Sequence, residues 1–254
     1  MRALVLPGLL LLACERAPAP SPPKADPVTA SASAPASADD VVETSAGPLK
    51  IDPVHHGTLR LEVGGKVVWV DPWAKGDLSG PKADVVLITD IHQDHFDEAG
   101  LAAVRGPDAV IVAPRVVAEK LPGAVVLANG EQRDLGFMRV EAVPMYNLER
   151  GPEPGVRYHE KGRGNGYVLT IGGTRVYISG DTECTPEMKA LTAIDVAFVC
   201  MNLPYTMPPS EAAACVATFK PKVLYPYHYR DSNLDELEQG LRGSGVEVRR
   251  RGWY

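Results

Sequence analysis

The segment TDIHQDHFD (89–97) places two histidines and three aspartates within nine positions, directly after an apolar run at 85–88. Imidazole and carboxylate groups are the ligands that zinc, iron and manganese prefer in proteins. In a tight loop alternate residues project the same way, so Asp90 and His92 could share one ion while Asp94 and His95 share a second. A solvated polar turn is the alternative, and residues elsewhere in the chain must decide between them.

Ionisable residues at three distant strand ends favour the metal interpretation. Asp71 ends the segment KVVWVD, Asp181 ends RVYISGD and His228 ends KVLYPYH. Rigid strands that end on one side of a sheet aim their short loops at one point. We therefore expect these side chains to meet the loop at 89–97 in a metal centre.

The positioning elements follow from the hydrophobic pattern. Residues 59–63 alternate apolar and polar side chains, as a half-buried strand does, and glycine pairs at 64–65 and 172–173 indicate hairpin turns. Hairpins come first and alternating strands and helices follow, and the second half repeats this order. The pattern predicts an α+β fold with two β-rich layers and outer helices in one domain. Further strands are predicted at 66–72, 83–90, 109–114, 124–129, 137–145, 166–182, 195–201, 222–229 and 246–252, helices at 97–104, 114–121, 209–219 and 233–242, and a loop at 146–163.

The first residues, MRALVLPGLLLLAC, resemble a bacterial lipoprotein signal. One basic side chain precedes an apolar stretch of about ten residues, which suits a signal-peptide core and is too short to span a bilayer. Cys14 stands where cleavage and lipidation would occur; a plain secretory signal with a chance cysteine is the alternative. We predict a signal peptide over 1–13 and an envelope protein anchored by lipid on the periplasmic or extracytoplasmic face.

Composition sets the remaining boundaries. Residues 15–46 are rich in proline, alanine and serine and cannot bury enough apolar surface to offset their ordering entropy. We therefore predict a lipidated cysteine and disordered tether over 14–46 and one folded domain over 47–254.

Charge and cysteine content limit the partners. The net charge of −6 makes a nucleic-acid partner unexpected, and we predict a small-molecule substrate, with membrane contact only through the lipid anchor. Three cysteines remain beyond Cys14, and an odd number argues against a full disulfide framework. Cys200 and Cys215 are predicted to be buried thiols, and Cys184 is not expected to bind metal.

The motif TDIHQDH resembles the H-x-H-x-D-H signature of the metallo-β-lactamase superfamily, with aspartate at the first position. Within the superfamily, the sequence is most similar to the ascorbate-6-phosphate-lactonase-like branch of metal-dependent hydrolases. The resemblance implies an αββα sandwich with the metal site at the edge where the two sheets meet. The segments that carry it are VDP (70–72), MYN (145–147), GNGYVL (164–169), SGDT (179–182), YTMPPSEAA (205–213) and YPYHY (225–229).

The resemblance implies two divalent ions, zinc first, with manganese or iron as alternatives that the hard oxygen of Asp90 would favour. Asp94 would also orient the nucleophile, Asp71 would orient a ligand, and His56 would lie beside the ligands or face the substrate. The ligands implied are Asp90, His92 and His159 for the first ion, Asp94, His95 and His228 for the second, and Asp181 as the bridge.

The implied activity is hydrolysis of an ester-like, lactone or phosphoester bond of a small molecule. A nuclease would need a basic patch, a true β-lactamase fits the motif set less well, and a non-catalytic metal-binding or interaction module of the envelope remains an alternative. Candidate substrate contacts, chosen by position, are Tyr146, Asn147, Arg163, Asn165, Tyr205 and Tyr229.

Overall fold

A computed structural model describes residues 40–254, which form two seven-stranded sheets and five helices. The first sheet contains, in spatial order, β1 (Val41–Thr44), β2 (Gly47–His55), β3 (Thr58–Val63), β4 (Lys66–Val70), β5 (Ala83–Leu87), β6 (Arg105–Ala113) and β7 (Val125–Val126). The second contains β8 (Gln132–Asp134), β9 (Arg139–Met145), β10 (Gly164–Ile171), β11 (Thr174–Ile178), β12 (Val196–Cys200), β13 (Val223–Tyr227) and β14 (Glu247–Val248). The helices are α1 (Glu98–Val104), α2 (Arg115–Ala118), α3 (Pro186–Lys189), α4 (Pro209–Phe219) and α5 (Leu234–Gly240). Within the described part of the chain, no helix is both long and apolar enough to cross a bilayer.

Both sheets repeat the same pairing order. In the first sheet β1 to β4 pair antiparallel and β4 to β7 pair parallel; in the second, β8 to β11 pair antiparallel and β11 to β14 pair parallel. Each sheet is therefore built from strands that are consecutive along the chain. This confirms the prediction of hairpins followed by alternating strands and helices in each half.

The sheets pack face to face with helices outside, as β4 shows. Its residues Val68 and Val70 join a buried cluster that includes Val140 and Leu169 of the second sheet. The intervening Trp69 packs into a separate cluster on the outer face, together with α1. Since side chains alternate along a strand, one face meets the other sheet and one meets the helices. The predicted αββα sandwich is confirmed.

Helix α1 fixes the end of the aspartate- and histidine-rich loop. Asp97 caps it, because its Oδ1 accepts from the Ala99 amide at 3.2 Å, and its Oδ2 accepts from the Ala74 amide at 2.8 Å. A Cβ on Gly100 would lie 2.0 Å from the carbonyl oxygen of Pro72, so only glycine permits this close packing. Asp97 therefore serves the helix, and the other acidic residues of the loop are left for the site.

The predicted boundary at residue 47 is wrong, because the fold begins earlier. Strand β1 lies within the predicted tether, and Asp40, only 2% exposed, accepts from Arg251 Nε at 2.6 Å. Pro48 and Pro53 disguise β2 in the sequence, since proline is uncommon inside strands. The rest of the predicted tether, the signal peptide and Cys14 lie outside the described residues.

The prediction of a thiol at Cys215 is also wrong. Cys215 in α4 forms a disulfide with Cys184, with their Cα atoms 5.7 Å apart. The bond ties the segment after β11 to the outer helix layer. Cys200 is buried and free as predicted, and burial raises the pKa of its thiol to about 12.

Candidate metal centre

The loops that follow four strands converge at one edge of the sandwich. The turn between β2 and β3, which contains His56, lies at the same edge. Asp71 follows β4, the loop at 88–97 follows β5, Asp181 follows β11 and His228 follows β13. The main chain is left-handed at four non-glycine residues of this edge, with φ values of 55° at His56, 44° at Asp71, 49° at His228 and 43° at Arg230. Non-glycine residues adopt this conformation only at a cost, which functional sites commonly bear.

Four residues, called here the four-residue cluster, form the centre of this edge: Asp94, His95, Asp181 and His228. His228 Nε2 lies 3.4 Å from Asp94 Oδ2 and 3.4 Å from Asp181 Oδ1. His95 Nε2 lies 3.4 Å from Asp181 Oδ2 and 4.0 Å from Asp94 Oδ2. Two imidazoles and two carboxylates therefore point at a common space.

Atoms of this cluster fit a cation. Among the described residues, His95 Nε2, His228 Nε2 and Asp181 Oδ1 are buried and have no hydrogen-bond partner. A buried polar atom without a partner costs about 1–3 kcal/mol. A divalent ion would satisfy all three, and nitrogen with carboxylate oxygen suits zinc, iron or manganese.

Asp71 sets the tautomer of His95. Its Oδ2 lies 2.8 Å from His95 Nδ1, and both carboxylate oxygens also accept hydrogen bonds from Thr89. Nδ1 of His95 therefore carries a proton, and Nε2 points into the cluster, where it can offer its lone pair to a cation. Without a cation, burial lowers the pKa of this ring, but the carboxylates of Asp181, Asp71 and Asp94 outweigh burial and raise the pKa well above its ordinary value. Such a carboxylate behind a histidine raises the basicity of the ligand and fixes its ring.

Asn147 does the same for His159, by a different route. The amide Nδ2 of Asn147 donates to Glu183 Oε1 at 3.0 Å and to the Tyr205 carbonyl at 2.8 Å. Its Oδ1 must therefore accept, and it lies 2.8 Å from His159 Nδ1. His159 Nε2 is left with its lone pair, 3.5 Å from Asp181 Oδ2, and burial lowers the pKa of His159 to about 4.

His56 supports Asp94. The hydroxyl of Tyr254 accepts from the Arg230 amide at 2.8 Å and lies 2.7 Å from His56 Nδ1, to which it donates. Nε2 of His56 therefore carries a proton and donates to Asp94 Oδ2 at 3.1 Å. Burial lowers the pKa of His56 to about 4, so the ring is neutral. His56 thus contacts Asp94 directly, and its role beside a bound ion stays a prediction.

Asp90 has partners of its own. It is fully buried and accepts from Arg163 through Oδ1 at 3.2 Å and through Oδ2 at 2.8 Å, while His92 Nδ1 lies 2.8 Å from Oδ2. Burial raises the pKa of Asp90, but the hydrogen bond with His92, and then the charges of His95 and Arg163, lower it to about 2. Asp90, His92 and His159 lie close enough to form a second candidate metal group.

The carboxylates of the cluster are held ionised. Burial raises the pKa of Asp94 and of Asp181, but the facing imidazoles of His95 and His228 outweigh burial and hold both well below the ordinary value. Two adjacent negative charges in a buried setting attract a cation. The negative charge and the unpartnered ligand atoms therefore both favour a bound cation in this cluster.

The centre opens into a cavity of about 290 Å³. Tyr158 and Tyr205 meet edge to face, with ring centres 5.0 Å apart, and the Arg230 guanidinium lies 5.8 Å from the Tyr205 ring. The residues lining it are His92, Asp94, Tyr158, His159, Asp181, Asn202, Tyr205, His228 and Arg230. Aromatic walls, one cation and the metal centre thus share one space.

Of the six predicted substrate contacts, one lines the cavity and five do not. Tyr205 lines the cavity, and Arg163 binds Asp90 instead of facing that space. The other four do not line it, so the geometry gives their predicted role no support. Those four are Tyr146, whose hydroxyl donates to Glu187, Asn147, which holds His159, Asn165, which bonds the Leu127 carbonyl, and Tyr229, which bonds the Arg251 carbonyl.

Other site residues were missed by sequence reasoning. Tyr158, Asn202 and Arg230 line the cavity, and Asn202 Nδ2 lies 3.4 Å from His228 Nδ1. Arg230 stands two residues after His228, a proximity that could have singled it out. Nothing in the local sequence of Asn202 marks it, because its role depends on packing between β12 and β13.

The model of the β-lactamase superfamily domain matches residues 50–228, well over half of the chain. The αββα fold and the cluster at its edge define a metal-dependent hydrolase of the metallo-β-lactamase superfamily. A UPF0173 metal-dependent hydrolase of Aeropyrum pernix is 30% identical over 196 residues, covering 68% of this chain and 79% of that protein. The chain belongs to the UPF0173 metal-dependent hydrolase family.

Solved structures show the same fold. A protein of Parabacteroides distasonis assigned to the metal-dependent hydrolases is 44% identical, with a TM-score of 0.79, covering 84% of this chain and 97% of that one. Igni18, a metallo hydrolase of Ignicoccus hospitalis, is 23% identical with a TM-score of 0.63, covering 79% and 94% of the two chains, and shows the shared fold.

Proposed function

We propose that this hydrolase cleaves an ester, lactone or phosphoester bond of a small molecule in the cavity beside the four-residue cluster. The observation that carries the proposal is the set of buried, unpartnered ligand atoms on His95, Asp181 and His228, which lie beside a cavity of about 290 Å³. A cavity of that size suits a small substrate.

Zinc is the ion that two imidazoles and two carboxylates favour, and manganese and iron are the alternatives. A divalent ion held by this cluster supplies Lewis-acid chemistry, activating water and polarising the electrophile. His95, with its tautomer fixed by Asp71, would hold the ion together with His228, Asp94 and Asp181.

Asp94 is placed to orient the nucleophilic water. Both Asp94 and Asp181 line the cavity, but the side chain of Asp181 is only 5% exposed, whereas that of Asp94 is 23% exposed. His56 donates to its Oδ2 and fixes the carboxylate plane. Because its pKa is held low, Asp94 stays ionised and is able to accept a hydrogen bond from a water molecule in the cavity.

The cavity walls support a substrate with an anionic group and an apolar part. The guanidinium of Arg230 is permanently charged and can bind a carboxylate or phosphate in two-point fashion. Tyr158 and Tyr205 offer ring surface for the remainder of the molecule.

The experiment combines elemental analysis with a substrate screen. Protein purified without chelator is measured for zinc, manganese and iron and tested on phosphodiesters, lactones and carboxylic esters. We expect metal and hydrolysis in the wild type and in Asp134→Ala, an exposed control. Both should be lost in Asp181→Ala and His228→Ala, and unchanged hydrolysis in those two variants would contradict the proposal.

The cellular location is a separate proposal. A disulfide between Cys184 and Cys215 supports an oxidising compartment, because such bonds are rare in the cytosol. Together with the lipoprotein-like segment ending at Cys14, it supports an envelope protein held by lipid. Replacing Cys14 by serine should move the protein from the membrane to the soluble fraction; equal fractionation of variant and wild type would contradict this.

A further inference from the structure

Aspartate replaces histidine at the first position of the motif, and its carboxylate is already engaged. Asp90 faces the fork of Arg163, with Nε 3.2 Å from Oδ1 and Nη2 2.8 Å from Oδ2, and His92 Nδ1 approaches Oδ2 to 2.8 Å. Three donors thus take most of the lone-pair directions that a carboxylate offers. Asp181 differs, because its Oδ1 is buried without a hydrogen-bond partner.

Arg163 is held opposite Asp90 by the main chain. The Asn165 amide donates to the Thr89 carbonyl at 2.9 Å, which ties the start of β10 to the residue before Asp90. A Cβ on Gly164 would lie 2.9 Å from the same carbonyl oxygen, so the two segments approach closely. The main chain therefore fixes the position from which Arg163 donates its two hydrogen bonds to Asp90.

A guanidinium in this place opposes a second cation. The side chain of Arg163 is only 23% exposed, so its positive charge would repel a neighbouring divalent ion with little screening by water. With Asp90 engaged, the second candidate metal group keeps only the imidazoles of His92 and His159, and the His92 side chain is 46% exposed. Asp181 Oδ2 lies 3.5 Å from His159 Nε2, but that carboxylate already belongs to the four-residue cluster. Protein zinc sites commonly need at least three protein ligands.

Charge balance gives the same result. Arg163 already neutralises Asp90, and one divalent ion matches the two carboxylates of Asp94 and Asp181 that face the four-residue cluster. The residues therefore fit one ion in the four-residue cluster and do not fit a second beside Asp90.

We propose that this chain binds a single divalent ion, in the four-residue cluster, and that the Asp90–Arg163 ion pair stands in the place of a second ion. Arg163 then provides a positive charge that is a permanent part of the fold, in the place where a second ion would provide a charge that can dissociate. Asp90 is a positioning residue that holds Arg163 and His92. This inference does not rest on the bond that the enzyme cleaves.

The test counts ions. Wild-type protein is stripped with chelator, dialysed and titrated with zinc chloride in a calorimeter, and zinc per chain is measured after gel filtration. We expect one zinc per chain. Arg163→Met removes the charge but keeps an apolar side chain of similar reach, frees Asp90, and should bind two. Arg157→Met, a control in the same loop whose Nε donates to the Leu148 carbonyl, should still bind one.

Asp90→Asn gives a second test that does not depend on the folding of Arg163→Met. It keeps the side-chain size and should retain one zinc per chain, with circular dichroism verifying the fold. Two zinc ions in the wild type, or no zinc in folded Asp90→Asn, would overturn the proposal. A folded Arg163→Met that still binds a single ion would overturn the role assigned to the arginine.

Discussion

At the scale of single residues, the partner of each histidine decides what its ring can do. A carboxylate behind His95 and an amide oxygen behind His159 both leave the lone pair of Nε2 available. A tyrosine hydroxyl beside His56 has the opposite effect and makes its Nε2 a donor to Asp94. The histidines at this edge therefore have two kinds of role. His95 and His159 can bind a metal ion, and His56 supports Asp94, the carboxylate proposed to orient the nucleophile.

Asp71→Asn should weaken zinc binding by roughly 10–100-fold. The amide can turn a donor towards His95 Nδ1, which would place the proton on Nε2 and remove the lone pair from the cluster. Calorimetric titration of the chelator-stripped protein measures the change. The matched control is Asp77→Asn at an exposed site, where affinity should equal that of the wild type; an unchanged affinity in Asp71→Asn would show that the tautomer does not matter.

Tyr254→Phe should lower kcat while zinc content stays at the wild-type level. The variant removes the hydroxyl that donates to His56 Nδ1, so His56 can turn its donor away from Asp94. A general loss of about 1 kcal/mol from one hydrogen bond predicts a decrease of roughly fivefold. A hydrolysis assay on any substrate from the screen, paired with elemental analysis, measures both quantities. Tyr229→Phe, whose hydroxyl bonds the Arg251 carbonyl, is the control and should keep kcat.

At the scale of elements, the long strands and helices could be predicted from hydrophobic pattern, and the short ones could not. Strand β8 covers three residues, all exposed, and helix α3 covers four, so neither has enough length to show a period. The strand-end residues Asp181 and His228 were predictable because each follows an apolar run. Arg163 pairs with Asp90 across 73 positions and Tyr254 with His56 across 198, and such pairs depend on sheet register.

The disulfide between Cys184 and α4 should stabilise the fold without shaping the metal centre. Replacing both Cys184 and Cys215 by serine should lower the free energy of unfolding by about 2–4 kcal/mol. Urea denaturation measures the loss, and zinc per folded chain should stay the same. Wild-type protein kept under a thiol reductant provides the comparison and should lose stability to the same extent. A double variant as stable as the oxidised wild type would show that the bond contributes nothing.

At the scale of the whole molecule, two buried histidines, His56 and His159, make metal-free protein less stable in acid, whereas His95, whose pKa is raised, acts in the opposite direction. Burial lowers the pKa of both His56 and His159 to about 4, whereas unfolded histidine titrates near 6.5. Between these values the unfolded chain binds more protons, so stability is complete above about pH 6.5 and is lost as the pH falls towards 4.

The expected loss is up to about 3 kcal/mol for each of the two residues by pH 4. Asp94 and Asp181 have depressed pKa values and add their own loss only below the ordinary carboxyl range. Thermal unfolding of chelator-treated protein at several pH values measures the slope. His159→Gln should show about half the acid-side loss of the wild type, and an equal slope in both would rule out this origin.

Each sheet is made of consecutive strands, so the chain divides into a half that ends with β7 and a half that begins with β8. Asp94 and His95 belong to the first half, and Asp181 and His228 belong to the second. An ion in the cluster is therefore a cross-link between two halves that have no strand in common. Any motion that parts the two sheets dismantles the site before either sheet unravels, so catalytic competence reports on their docking.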